Sequence, residues 1–267
     1  MICFPNAKIN IGLNVLSRRT DGYHNLETIF YPIKINDALE VIEAAEMGFE
    51  TSGIPIPGYA NENLCLRAYE LMRKDFDLPN IRIHLHKNIP IGAGLGGGSS
   101  DAAFFIKLIN DKFGLEIAKE QMLGYCKVLG ADCSFFIENR PVFAQGIGDE
   151  FEPLDIDLSP YHLVLVKPDV HVSTGEAYRG VKYSEPVNPL KTLVRLPVEE
   201  WNCNIKNDFE PHIFNSHPQI RLVKANLLEA GALFALMSGS GSSVFGVFNE
   251  KPDLSMMDES CLVYSDI

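Results

Sequence analysis

Apolar and polar positions alternate along several short stretches of this chain and recur at helical spacing along others. Residues 9–16 (INIGLNVL) and 26–33 (LETIFYPI) read as strands, and Asp21-Gly22 between them marks a hairpin or loop. Strand character resumes over residues 39–42. It is clearest over Ile81-Arg82-Ile83-His84-Leu85-His86, where strict alternation predicts a half-exposed strand with His84 and His86 on its outer face. Helical spacing links Leu64, Leu66, Ala68, Leu71 and Met72 behind the capping candidates Asn61 to Asn63. The same spacing links Ala102, Ala103, Phe104, Phe105, Ile106, Leu108 and Ile109, ending near Gly114. A further helix over 119–129 carries Met122, Leu123, Cys126 and Leu129 and stops at Gly130. In the second half, strand or helix signals lie at 163–166, 174–179, 220–228, 233–237 and 244–248, while 183–207, with Pro186, Pro189 and Pro197, supports no assignment. The connection around 154–160 suggests two domains, residues 1–155 and 156–267.

One stretch breaks both periodicities. IPIGAGLGGGSSDAA, residues 89–103, concentrates Gly92, Gly94, Gly96, Gly97 and Gly98 directly before an apolar helix, with Ser99, Ser100 and Asp101 as its natural N-terminal residues. A glycine loop opening into a helix aims unpaired N–H groups and the positive end of the helix dipole at one point, which suits a phosphate. Gly92, Gly94 and Gly97 satisfy G-x-G-x-x-G, but no buried parallel strand leads directly into them, because Asn88 and Pro90 intervene. A Walker loop needs Lys before the final Ser, and Gly98 stands there. A flexible linker is the plain alternative, and linkers rarely run into a strongly apolar helix.

Composition narrows the classes. The chain has 267 residues, 46% of them hydrophobic, enough for one large or two moderate cores. Lys and Arg number 23 against 35 Asp and Glu, a net charge of −12 with no long basic run, so nucleic acid is not an expected partner. Cys3, Cys65, Cys126, Cys133, Cys203 and Cys261 are scattered without C-x-x-C or metal spacing and read as reduced thiols. No secretory leader or membrane span is visible, so a cytoplasmic protein that does not engage membranes is expected.

Three stretches in order, Pro5-Asn6-Ala7-Lys8-Ile9-Asn10, the glycine loop and the late Met237-Ser238-Gly239-Ser240-Gly241-Ser242-Ser243, resemble the three motifs of the GHMP small-molecule kinases. Asp21-Gly22-Tyr23-His24 and Gly130-Ala131-Asp132 resemble the branch of that family acting on CDP-methylerythritol. The resemblance runs from about Phe4 to Phe248. It implies an α+β fold of two domains, a ribosomal S5-like N-terminal domain and a ferredoxin-like C-terminal domain, with the active site in the cleft between them. The implied reaction is ATP-dependent phosphorylation of a tertiary hydroxyl on CDP-methylerythritol, a step of the non-mevalonate isoprenoid pathway. Ala93, where the family often has Gly, and Cys133-Ser134, where Val-Pro is common, depart from the pattern without removing a reacting group.

Carried onto this chain, the resemblance implies that Lys8 and Asp132 are catalytic, Asp132 as the base and Lys8 as the cation that assists it. Read alone, Lys8 is a solvated lysine at a strand start and Asp132 a turn residue. Pro90, Ile91, Gly92, Ala93, Gly94, Leu95, Gly96, Gly97, Gly98, Ser99 and Ser100 would wrap the ATP phosphates, and Asn63, equally explained as a helix cap, would reach the adenine. Tyr23, His24 and Tyr178 would hold the cytosine; Gly239, Ser240 and Gly241 would shape the substrate diphosphate site. Mg²⁺ is implied by ATP chemistry, with Ser99 or Ser100 as contacts and no dedicated carboxylate cage. A monomer or a homodimer is expected. A mevalonate- or homoserine-type kinase is the nearest alternative, and the aromatic Tyr23-His24 pair argues against it. A nucleotide-binding regulator without turnover, and more distantly a hydride-transfer enzyme, are the others.

Overall fold

A computed structural model describes residues 1–183 and 185–267; Ser184, inside the 183–207 stretch, lies outside the described residues. By contacts the chain forms two compact units. One comprises Met1–Ala7, Ile35–Ile91 and Gly96–Arg140; the other comprises Lys8–Lys34, Gly92–Leu95 and Pro141–Ile267. These units do not follow a single cut near residue 155. The pairing of strands explains why: β2 (Asn6–Arg18) and β3 (His24–Asn36) form one sheet with β7 (Val142–Gln145) and β8 (Glu150–Pro153), in the order β2-β3-β7-β8, and so join the later half.

The first unit holds a sheet of order β1-β4-β6-β5, built from β1 (Ile2–Cys3), β4 (Ala38–Glu43), β5 (Gly48–Gly53) and β6 (Ile81–Lys87). Strand β6 pairs antiparallel with β4 and parallel with β5. Its alternation is as expected: Ile81, Ile83 and Leu85 are buried, while Arg82, His84 and His86 are exposed. Ser52 Oγ lies 2.9 Å from His84 Nε2 and 3.0 Å from His86 Nδ1, so this outer row is satisfied by a hydroxyl. Four helices belong to the same unit: α1 (Leu64–Met72), α2 (Gly97–Phe113), α3 (Lys119–Leu129) and α4 (Phe135–Glu138). Helix α2 is central, packing on β4 and on the other three helices, with Phe105 edge-on to Tyr69 at 6.5 Å. It stops where Gly114 turns left-handed, φ 59°.

The second unit adds an antiparallel sheet of order β10-β11-β9-β12, from β9 (His162–Lys167), β10 (Phe234–Met237), β11 (Val244–Phe248) and β12 (Leu262–Ser265). The 183–207 stretch contains α6 (Leu190–Leu193) and α7 (Trp201–Asn204), each a single turn, too short for a periodic signal. They follow α5 (Thr174–Arg179) and precede α8 (Glu210–Ser216) and α9 (Pro218–Glu229). Helix α9 lies on β10 and β11, and its Ile220, Val223 and Leu227 share a core with Val164, Val166, Met237 and Val244. Leu13 and Val15 enter that core from β2. Among the described residues no helix is long and apolar enough to cross a membrane. All six cysteines are free thiols, of which Cys65, Cys126 and Cys133 are buried.

Candidate active site

In the second unit the site is organised by β2. A strand directs every second side chain to one face, and along β2 that row is Lys8, Asn10, Gly12 and Asn14. Lys8 is only 4% exposed, which corrects the picture of a solvated lysine. A buried ammonium needs acceptors, and Nζ donates to Asn10 Oδ1 at 2.5 Å and to the Gly94 carbonyl at 3.1 Å. The Phe30 ring lies 4.9 Å away. Asn10 is oriented in turn: its Nδ2 donates to Thr28 Oγ1 at 2.8 Å, and that hydroxyl donates to the Gly12 carbonyl at 2.6 Å. The Lys8 N–H donates to the Leu95 carbonyl at 3.0 Å, so the strand also holds the middle of the glycine loop.

The small-residue turn between β10 and β11 packs on the same loop segment. Ser238 Oγ accepts from Asn10 N–H at 3.1 Å and donates to the Gly94 carbonyl at 2.9 Å. Asn207 Nδ2 bridges the Met237 and Gly239 carbonyls, 2.8 Å each, and fixes the start of the turn. Gly239 and Gly241 both have positive φ, 55° and 83°. A Cβ on Gly94 (φ 77°) would stand 2.0 Å from the Ser238 carbonyl oxygen. This glycine is therefore required by the protein's own packing, whatever else approaches it.

His24, at the start of β3, stacks on Tyr178 of α5 with ring centroids 4.3 Å apart and planes 17° from parallel. Phe209 backs Tyr178 edge-on at 4.9 Å. The Tyr183 hydroxyl lies 3.2 Å from His24 Nε2. Burial, with a smaller contribution from Arg18, pulls the His24 pKa below the ordinary imidazole value, so the ring is neutral at pH 7. Tyr23, by contrast, is 60% exposed. The structure thus brings His24 and Tyr178 into direct contact, with no gap between the rings.

The first unit carries the other half of the loop and Asp132. Helix α2 begins at Gly97, two residues before the expected caps; its N-cap is Gly96 in the left-handed region, φ 69°, which offers no side-chain acceptor. Ser99, Ser100 and Asp101 fall inside the first turns instead. A glycine cap leaves the first-turn N–H groups to an external acceptor, as phosphate binding requires. Gly98 is the exposed glycine there, and the nearest atom to a Cβ built on it is Leu64 Cδ1 at 3.9 Å. Asn63 does cap α1: its Oδ1 accepts from Cys65 N–H at 2.9 Å, so any contact with a base would use Nδ2.

Asp132 sits half-buried in the turn joining α3 to α4. The neighbouring Cys133 is buried, its thiol on the same side of Gly130 as Ser99 Oγ, and burial pushes that thiol up to about 11. Cys133 therefore behaves as a small apolar residue packed between the Asp132 turn and the start of α2. For Mg²⁺, no group of three or more His, Cys, Asp or Glu side chains at metal spacing exists among the described residues. Magnesium bound with a nucleotide takes most of its ligands from phosphate and water, and the buried Ser100 Oγ, which has no partner among the described residues, fits a single protein contact.

Asn10, Thr28, Asn207 and Tyr183 are absent from the sequence-derived site. For Asn10 the signal is present: it continues the period-two row from Lys8. Thr28, Asn207 and Tyr183 come from distant segments and carry no local signal.

Residues 63–139 match the GHMP kinases N terminal domain and residues 196–255 match the GHMP kinases C terminal family. The 4-diphosphocytidyl-2-C-methyl-D-erythritol kinase of Parabacteroides distasonis is 54% identical over 252 residues, 94% of this chain and 93% of that one. The enzyme of the same name from Bacteroides fragilis (strain ATCC 25285) is 51% identical over 262 residues, 97% and 96% of the two chains. A crystal structure of 4-(cytidine 5'-diphospho)-2C-methyl-D-erythritol kinase superposes with a TM-score of 0.79 at 33% identity, covering 92% of this chain and 90% of that one. A mevalonate kinase superposes at 0.74 with 12% identity, a likeness of fold alone. The chain belongs to the 4-diphosphocytidyl-2-C-methyl-D-erythritol kinase family of the GHMP kinases.

Proposed function

We propose that this chain transfers the γ-phosphoryl group of ATP to the 2-hydroxyl of 4-(cytidine 5'-diphospho)-2-C-methyl-D-erythritol, giving the 2-phosphate and ADP, in the non-mevalonate isoprenoid pathway. The observation that carries this reading is about 50% identity, over nearly the whole length, to several enzymes of that name. Phosphoryl transfer asks a protein mainly for positioning and charge stabilisation, with one group to take the hydroxyl proton. Asp132 is that base. Lys8, buried and aimed by Asn10, lends positive charge to the developing oxyanion and the transferring phosphoryl group.

The loop from Pro90 to Ser100 donates main-chain N–H groups to the triphosphate, and Asn63 reaches the adenine. ATP arrives with Mg²⁺, which neutralises phosphate charge; Ser99 or Ser100 would hold it. His24, neutral and with both a donor and an acceptor nitrogen, suits the edge of a cytosine, with the exposed Tyr23 supplying an aromatic face and Tyr178, stacked on His24, holding the imidazole in place. Stacking of this kind is worth roughly 1–3 kcal/mol per base. Gly239, Ser240 and Gly241 border the substrate's diphosphate. The protein acts in the cytoplasm as a monomer or homodimer.

Coupled ATP turnover with CDP-methylerythritol, mevalonate, homoserine and galactose offered in parallel tests the reading. Turnover with the cytidine substrate alone is expected; turnover with any of the other three at a comparable rate contradicts it.

A further inference from the structure

Three ionisable side chains, nearly inaccessible to solvent, stand at the two ends of the glycine loop within the first unit. Lys87, the last residue of β6, pairs with Asp37 and, at 2.7 Å, with Asp101. Asp37 lies between β3 and β4, and its other oxygen, Oδ1, accepts the N–H groups of Asn88 at 2.6 Å and Ile89 at 2.8 Å. Those two residues lead directly into Pro90. Asp101 lies just beyond the first turn of α2. A Cβ added at Gly97 would approach Lys87 Nζ to 3.4 Å and Ile89 Cγ2 to 2.9 Å, so the ammonium and the segment before the loop both lie against the start of the helix.

A buried ion pair gives little net stability, because desolvating each charge offsets most of the attraction. What such a cluster does supply is fixed geometry. The strand end, the segment before Pro90 and the beginning of α2 are all tied to one ammonium. The N–H groups of residues 97–99 are thereby held at a set distance and angle from the start of the loop. We propose that Asp37, Lys87 and Asp101 are positioning residues for the nucleotide phosphates: they set the separation of the two ends of the loop, and hence the aim of its N–H groups. This rests on the reading that the loop binds ATP.

The test is titration of the full-length protein with MgATP, alongside steady-state kinetics. Asp37→Ala, which removes the acceptor for Asn88 and Ile89 and half of the pairing, should raise the Kd and KM for ATP at least tenfold. The KM for the alcohol substrate and kcat at saturating ATP should stay within threefold of wild type. Asp37→Asn keeps an oxygen for the two N–H groups and should recover most of the affinity. Should Asp37→Ala not fold, Asp101→Ala, which cuts only the tie to α2, carries the test with an expected rise of fivefold or more. Tyr125→Phe is the control: it deletes the 2.6 Å hydrogen bond to Asp75 in the same unit, away from the loop. It should lower the melting temperature without moving the ATP constants. Wild-type ATP affinity in Asp37→Ala or in Asp101→Ala overturns the proposal, as does an equal loss in Tyr125→Phe. Failure of the wild type to bind MgATP would instead reject the loop's assignment to ATP.

Discussion

Lys8 shows how a residue's surroundings change its chemistry. Its ammonium is buried against neutral oxygens of Asn10 and Gly94, so its charge acts through a medium far less screening than water. Lys8→Met should lower kcat by orders of magnitude with the KM for ATP little changed, which steady-state kinetics would read. Asp132→Asn should lower kcat by about 10²–10⁴, the usual contribution of a positioned proton acceptor. Equal kcat in wild type and Asp132→Asn would remove Asp132 from the reaction. How far such residues are legible depends on where their partners come from. Lys8 and Asp132 carry no local signature and stand out only through family motifs. Asn10 and Lys87 are legible from periodicity: each continues a two-residue row, Lys8 to Asn10 and Ile81 to Lys87, that turns out to face inward. Thr28, Asn207 and Asp37 join their networks from remote segments, and nothing in their own neighbourhoods announces it.

At the scale of elements, the glycine loop and α2 divide one sequence signal into two different demands. Gly94 and Gly97 are required by contacts inside the protein, against the Ser238 carbonyl and the Ile89 side chain respectively. Gly98 is required by neither. Gly94→Ala should therefore cost about 2–4 kcal/mol of stability, from the positive φ and the clash together. Gly98→Ala should leave stability within about 1 kcal/mol, or raise it, because alanine favours a helix. Its effect should fall on the KM for ATP. Chemical denaturation of the two variants beside their ATP kinetics checks both statements; similar stabilities for the two would contradict them. The helix itself is legible from its apolar spacing and Gly114. Its true start is not, because Ser99, Ser100 and Asp101 are good capping residues by type, whereas the left-handed Gly96 takes the cap and Asp101 is drawn inward by Lys87.

Over the whole molecule, strand pairing decides more than chain order. Strands β2 and β3 look like the opening of a first domain, yet they join β7 and β8, so the compact units interleave along the chain. Pairing between distant strands leaves no mark in local periodicity. Buried charge also sets a pH dependence of the whole fold. Burial raises Asp101 to about 7 against an ordinary value of 3.8. Between those pH values the folded chain holds a proton that the unfolded chain has released, so this residue's contribution to stability falls as pH rises and is level above the window. Asp101→Asn should therefore gain on wild type in denaturant midpoint between about pH 4 and pH 7, with a constant difference beyond. A parallel pair of curves would deny the linkage. ³¹P NMR of the protein with MgATP and CDP-methylerythritol reads the reaction itself. One new phosphomonoester resonance and one ADP per substrate consumed are expected, with the cytidine diphosphate linkage intact and the signal lost in Asp132→Ala. Cleavage of that linkage, or ATP hydrolysis at the same rate without the alcohol, would rule out the proposed transfer.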